Sequence, residues 1–388
     1  MKKYMSVAVI LCVLFSACIA SDGPERQNIP PPVLDGQLGY DMQAEYARSS
    51  GFVCKHNSVY YYITLTHWIY YYDDISKIWG KLCAKPECTH ETGACNAYAH
   101  GIGGVQVYDE MLYFTDGLGS LCRMDLTGTQ RETVMSLRPL NGVNPKWAIH
   151  RGYVYSSMIQ NTVSEGKSCD IYSLYRQKLN NTQEEKEPIL EQKYEPGSIN
   201  EFWLIQGNRL YLALDENERT YRKFYAFDIE SGRLETLFSG PSEGYVADFR
   251  ADETGLDILE TAGSRIRLLR YDFAHKTMSE LSRRNDADEY MGQMSADRQR
   301  ILFYMLFAEK GEDGEEAFQY KVLDREEKDL SGGSISGGGW VLNGYGGDDV
   351  GFLLSRMIIN KDYQEHELWR IPYDTGQAEL LIQHRFDR

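Results

Sequence analysis

The feature that most constrains this chain is a short unit that recurs along it, clearest from Gln106 to Val134. There QVYDEMLYFTDGLGSLCRMDLTGTQRETV opens with an alternating apolar run, turns at Asp109-Glu110 and continues through Met111-Leu112-Tyr113-Phe114. It turns again at Asp116-Gly117, runs through Leu121-Cys122-Arg123-Met124, and passes Asp125-Leu126-Thr127-Gly128 into a last short strand. Period-two alternation bounded by Asp and Gly predicts antiparallel strands joined by tight turns. Such a meander of four strands cannot bury both faces of its sheet alone, so it needs copies of itself.

The copies are present. Aligned on the second strand and the Asp-containing turn, about seven occur. They are Gly51 to Leu82, the stretch above, Trp147 to Leu190, Phe202 to Phe238, and three centred on Leu256–Asp272, Arg300–Asp324 and Gly351–Gly376. Successive copies lie about 42 to 56 residues apart, the period of four-stranded propeller blades. In the third turn Asp accepts backbone N–H bonds and Gly takes the positive φ beside it. The expected fold is therefore all-β, a β-propeller of four-stranded blades. Seven blades fit best, with six or eight as alternatives because the early and late copies are least regular. The 28 tyrosines, clustered as Tyr60-Tyr61-Tyr62 and Tyr70-Tyr71-Tyr72, suit pleated half-buried surfaces.

The first residues predict targeting. Lys2 and Lys3 form a basic start, Met5 to Phe15 an apolar run too short for a comfortable membrane span, and Ser16-Ala17 a small-residue site before Cys18. Phe15-Ser16-Ala17-Cys18 resembles the lipobox of bacterial lipoproteins, which implies cleavage before Cys18 and lipidation of its thiol; an ordinary secretory peptide is the alternative. The expected organisation is a signal peptide at 1–17, a lipidated Cys18 with an extended tether through Pro30-Pro31-Pro32 at 18–38, and a propeller at 39–388. This implies a monomer held at the extracytoplasmic face of the cell membrane. The net charge of −16 without a basic stripe argues against nucleic acid and anionic lipid as partners.

The blades resemble those of TolB-type and related YVTN-like propellers. As a whole the chain is similar to propeller lipoproteins of anaerobic Gram-positive bacteria, a likeness carried by Leu121 to Gly128 and by Leu82-Cys83 to Ala97. The resemblance implies no catalytic residue.

One compact group of chemically capable residues stands out. KLCAKPECTHETGACNAY, an insert at 83–97 between the first and second copies, holds Cys83, Cys88, His90 and Cys95 within thirteen residues. Three thiols and an imidazole are the donor set of a structural zinc site, though the Cys-x4-Cys-x-His-x4-Cys spacing is not a standard knuckle. Outside the cytoplasm paired cysteines are more often disulfides, so a bridge such as Cys83–Cys88 or Cys88–Cys95 is the preferred expectation, with zinc as the alternative. The bridge leaves one thiol that would have to reach a strand cysteine such as Cys54 or Cys122. Cys54, Cys122 and Cys169 are expected inside strands.

Other chemistry is thin. His90-Glu91 and His366-Glu367 lack the second His of a zinc-protease helix. Gly333-Ser334-Ile335-Ser336-Gly337 places Ile at the nucleophile position of a hydrolase elbow. The Gly-rich Ser331 to Gly339 reads as a flexible connection between blades. Aromatics around Tyr70 to Asp74, Trp203 and Trp340 to Tyr345 suit either a ligand groove or, as expected, packing between blades. These observations favour a non-catalytic module that binds a protein, peptide or glycan. The alternative is a glycan-active hydrolase or lyase, which would need a consistent series of carboxylates on the first strands.

Overall fold

The computed structural model describes residues 51–387 apart from 102, 118, 138–145, 165–166, 181–185, 197–198, 217–220, 263–264, 286–289, 296–297, 306–308, 311–315, 327 and 346–349. The expected signal peptide, Cys18 and the tether lie outside these residues. Among the described residues there are no helices, and the strands form seven antiparallel sheets arranged as a propeller. Blade by blade these run Val53–Lys81, Val105–Ser136, Lys146–Tyr194, Asn200–Pro241, Tyr245–Asn285, Tyr290–Ser336 and Trp340–Asp387. Within each, consecutive strands pair in order, save that blade 6 inserts a two-residue strand, Glu309–Lys310, against its third.

The turn chemistry expected from the repeats is in place. Asp125 accepts the amides of Thr127 (2.9 Å) and Gln130 (2.8 Å), and Gly128 takes φ 77°. Asp228 accepts the Ser231 amide at 2.8 Å, with Gly232 at φ 68°. Where the repeat lacks Gly, Lys77 and Lys276 adopt the positive φ themselves, beside Asp73 and Asp272.

Neighbouring sheets pack through buried apolar clusters that run round the ring. Trp147 and Tyr113 join blades 2 and 3; Trp203 and Tyr172 join blades 3 and 4. Trp203 is thus a packing residue, as are Tyr70 and Tyr72. The first strands of neighbouring blades approach one another between blades 1 and 2, 2 and 3, 4 and 5, and 5 and 6. They belong to different sheets, so side chains tie them. Gln106 donates to the Ile149 carbonyl (2.8 Å) and accepts its amide (2.7 Å), and Asp248 accepts the Met294 amide at 2.8 Å. These bonds satisfy backbone groups that no ladder reaches.

The Gly-rich stretch requires a correction. It is not mainly a connection: Asp329–Ser336 is the outer strand of blade 6. The reason is Tyr320, whose ring lies where a side chain at Gly333 would stand, 2.6 Å from its hydroxyl. Tyr320 then donates to the Gly376 carbonyl at 3.0 Å, linking blade 6 to blade 7. Glycine here admits a neighbouring ring rather than loosening the chain.

Blade 7 closes onto blade 1 through Arg370, which donates to Asp74 at 2.7 and 3.0 Å and to the Tyr60 hydroxyl at 3.2 Å. That guanidinium holds the Asp74 carboxyl down from 3.8 to about 2. A depressed carboxylate stabilises the fold above its unfolded value and loses that contribution as pH falls from about 4 through 2. Asp74→Asn is expected to cost about 2 kcal/mol at neutral pH and to show a smaller further loss across that acid window. Urea unfolding at pH 7 and pH 3 checks this, and equal acid sensitivity of the two proteins would contradict it.

Candidate metal centre

The insert connects the outer strand of blade 1, Ile78–Lys81, to the first strand of blade 2, Val105–Tyr108. Its ends are fixed by backbone bonds: Leu82 N to Ile69 O (2.9 Å) at the start, and Ile69 N to Ala97 O (2.8 Å) and Ala99 N to His67 O (2.7 Å) at the close. On the other side Asn96 donates to the carbonyls of Gly128 (2.8 Å) and Thr129 (2.9 Å) in blade 2. Gly128 is required there, because a Cβ would stand 2.4 Å from the Leu82 carbonyl oxygen.

Between these anchors, tight turns present the cysteines. Cys88 N bonds Lys85 O at 3.1 Å and Cys95 N bonds Thr92 O at 3.0 Å. His90 adopts φ 58°, a conformation that non-glycine residues seldom hold, and its Nδ1 lies 3.5 Å from Cys95 Sγ. The result is convergence: the donor atoms of Cys83, Cys88, His90 and Cys95 all lie within 4.8 Å of one another. Thiolates around a tetrahedral zinc with bonds near 2.3 Å stand about 3.8 Å apart, so only a small contraction is needed. This group has the size and chemistry to hold a metal ion.

Electrostatics prepare one ligand. Burial opposes the Cys83 thiolate, but the amides of Lys85 and Asn96 and the neighbouring thiols outweigh it and lower its pKa. Cys95, fully buried, is pushed up to about 12, chiefly by desolvation and also by the other two thiols. A divalent cation supplies the positive charge that lets the remaining thiols ionise. Lys81 and Lys85 add charge at the rim by donating to the carbonyls of His90 (2.6 Å) and Ala94 (3.3 Å). Glu87 and Glu91 are exposed.

All described cysteines carry free thiols, and the three strand cysteines sit where the alternation placed them. Cys122 faces Asp116 and Thr133 within its own blade, and Cys54 packs at Val107 of blade 2. Sequence reasoning found the four donors but not Lys81 or Asn96, whose roles depend on chain segments brought close by the ring.

The first strands carry few acids. Among the seven, Glu201 and Asp248 are the carboxylates. Glu201 accepts from Ser157 at 2.9 Å and lies 3.7 Å from Lys146, while Asp248 pairs with Arg250 at 3.0 Å.

No family model matches the sequence, and no curated protein does. Among solved structures, the chain is similar to one from a study of two prolyl endopeptidases, at TM-score 0.55 and 13% identity over 90% of this chain and 51% of that one. It is also similar to puromycin hydrolase, as an S511A variant with PGG, at TM-score 0.53 and 13% identity over 92% and 57%. A TolB-type structure from Agrobacterium tumefaciens matches at TM-score 0.38 and 12% identity over 82% and 88%. The chain spans about half the length of the first two of these structures. At these identities the likeness is one of fold.

Proposed function

We infer that the chain is a lipid-anchored propeller on the extracytoplasmic face of the cell membrane, which binds a protein, peptide or glycan and carries a structural zinc in its insert. The anchor rests on the lipobox-like Phe15 to Cys18. The zinc rests on the convergence of four protein donors, a closed set of the structural kind.

The observation that carries the binding reading is the uneven build of one end of the ring. The two middle strands span five or six residues in blades 1 and 2, but twelve each in blade 3 and nine and ten in blade 7. Over the short pair lies the metal insert, with Gly117 of blade 2 against His100. Long hairpins and insert together raise a rim, and its tips expose apolar Val163 and Ile359. A rigid disc with an irregular, partly apolar rim suits recognition of a large ligand.

The alternative is a glycan-active hydrolase or lyase. Against it, two of seven first strands bear acids and both acids are already paired. The purified domain is expected to bind a member of a glycan or peptide panel without converting it, and Val163→Asp is expected to weaken that binding. Turnover of any panel member would favour the enzyme.

A further inference from the structure

We propose that the metal in the insert is the latch of the ring, and that its removal opens the seam between blade 7 and blade 1 before any other part of the propeller. This rests on the zinc reading above.

The argument begins with topology. Each blade consists of consecutive strands, so a connecting segment crosses from blade to blade at six of the seven seams. The seventh joins Val53–Lys81 to Trp340–Asp387, the two ends of the described chain, and no strand is exchanged across it. Among the described residues it is held by side chains, and a seam without chain continuity gains nothing from the short tethers that keep other neighbours at high effective concentration. Local opening is expected where such support is least.

The side chains at this seam meet the insert. A single buried cluster contains Leu353, Leu368, Leu381 and Ile382 of blade 7, Tyr60, Tyr62 and Tyr70 of blade 1, and Cys95 and Ala97 of the insert. The Tyr70 ring lies tilted against that of His384 on the last strand, with centroids 4.8 Å apart. Lys81 reaches back from blade 1 to the His90 carbonyl at 2.6 Å and lies over Trp68, 3.9 Å from its ring. On the far side, Asn96 is bonded to blade 2. The insert therefore touches the packing of three successive blades.

Between its anchored ends the insert has no strand or helix, and Ala84 to Glu87 and Glu91 to Ala94 are exposed. Asn96 and Ala97 anchor the backbone beside Cys95, and metal bonds shared with Cys83, Cys88 and His90 would tie that anchored end, in the cluster beside Tyr70, to the exposed part of the loop. Without them the loop has few contacts to resist opening, and the blade 7 face loses part of its cover. Cys95 thus joins the ligand set to the seam.

The test is backbone amide exchange on the full domain with zinc, after a chelator, and after zinc is restored, with metal content measured on each sample. Chelation is expected to speed exchange at least tenfold in the last strand of blade 7, Glu379–Asp387, and in Ile69–Asp73 of blade 1, while blades 4 and 5 change little. Zinc should reverse it. Cys88→Ser, which alters a half-buried ligand rather than the core, should show the same pattern without chelator. Bound zinc whose removal affects only residues 83–97, or all blades equally, would overturn the latch and leave the zinc reading intact. Protein that binds no zinc would overturn both.

Discussion

Arg222→Ala is expected to destabilise the propeller by about 3–5 kcal/mol, the cost of leaving buried charges without a partner. Arg222, Asp215 and Glu260 are each 2–3% exposed, with the guanidinium 2.5 Å from Asp215 and 2.6 Å from Glu260. A third contact, to the Gly244 carbonyl at 2.8 Å, ties blade 4 to blade 5. With the arginine gone, no other cation among the described residues pairs with Asp215, and Glu260 keeps Arg267. Arg265→Ala is the control: its pair with Glu243 is 45% exposed on each side, and its loss should cost under about 1 kcal/mol. Denaturant unfolding of both variants at pH 7 gives the comparison, and equal costs would contradict the reading.

The second large effect is expected at the insert. His90→Ala should lose zinc and lower the melting temperature by about 10 °C, the scale set by a loss of several kcal/mol of binding-linked stability in a domain of this size. Since His90 is only half-buried, little of that fall should come from lost packing. Chelator should lower wild type to the level of the variant and leave the variant itself unchanged. A variant that still responds to chelator, or one as stable as wild type, would contradict a four-ligand site.

Much of the ring was legible because its information is local. The alternation from Gln106 to Val134 corresponds strand for strand to Val105–Tyr108, Met111–Thr115, Ser120–Asp125 and Arg131–Ser136. Asp and Gly act within a few residues, so the turns at Asp125 and Asp228 could be read directly. The Cys/His group was legible for the same reason, since all four donors lie on one short segment. What escaped was non-local. Gly333 looked like part of a linker because the ring of Tyr320 that needs it as glycine lies on another strand. Arg370 and Asp74 are 296 residues apart, and nothing near either one announces the other. Asn96 and Lys81 gained their roles only when the insert was laid across its neighbours.

Zinc and thiols counted together on the mature domain, prepared without reductant or added metal, bear most directly on the centre of this account. One zinc per chain is predicted, with Cys83, Cys88 and Cys95 protected from alkylation until a chelator is added and reactive afterwards. A metal-free domain in which two of these three cysteines resist alkylation until reduced would be a disulfide, and would contradict it.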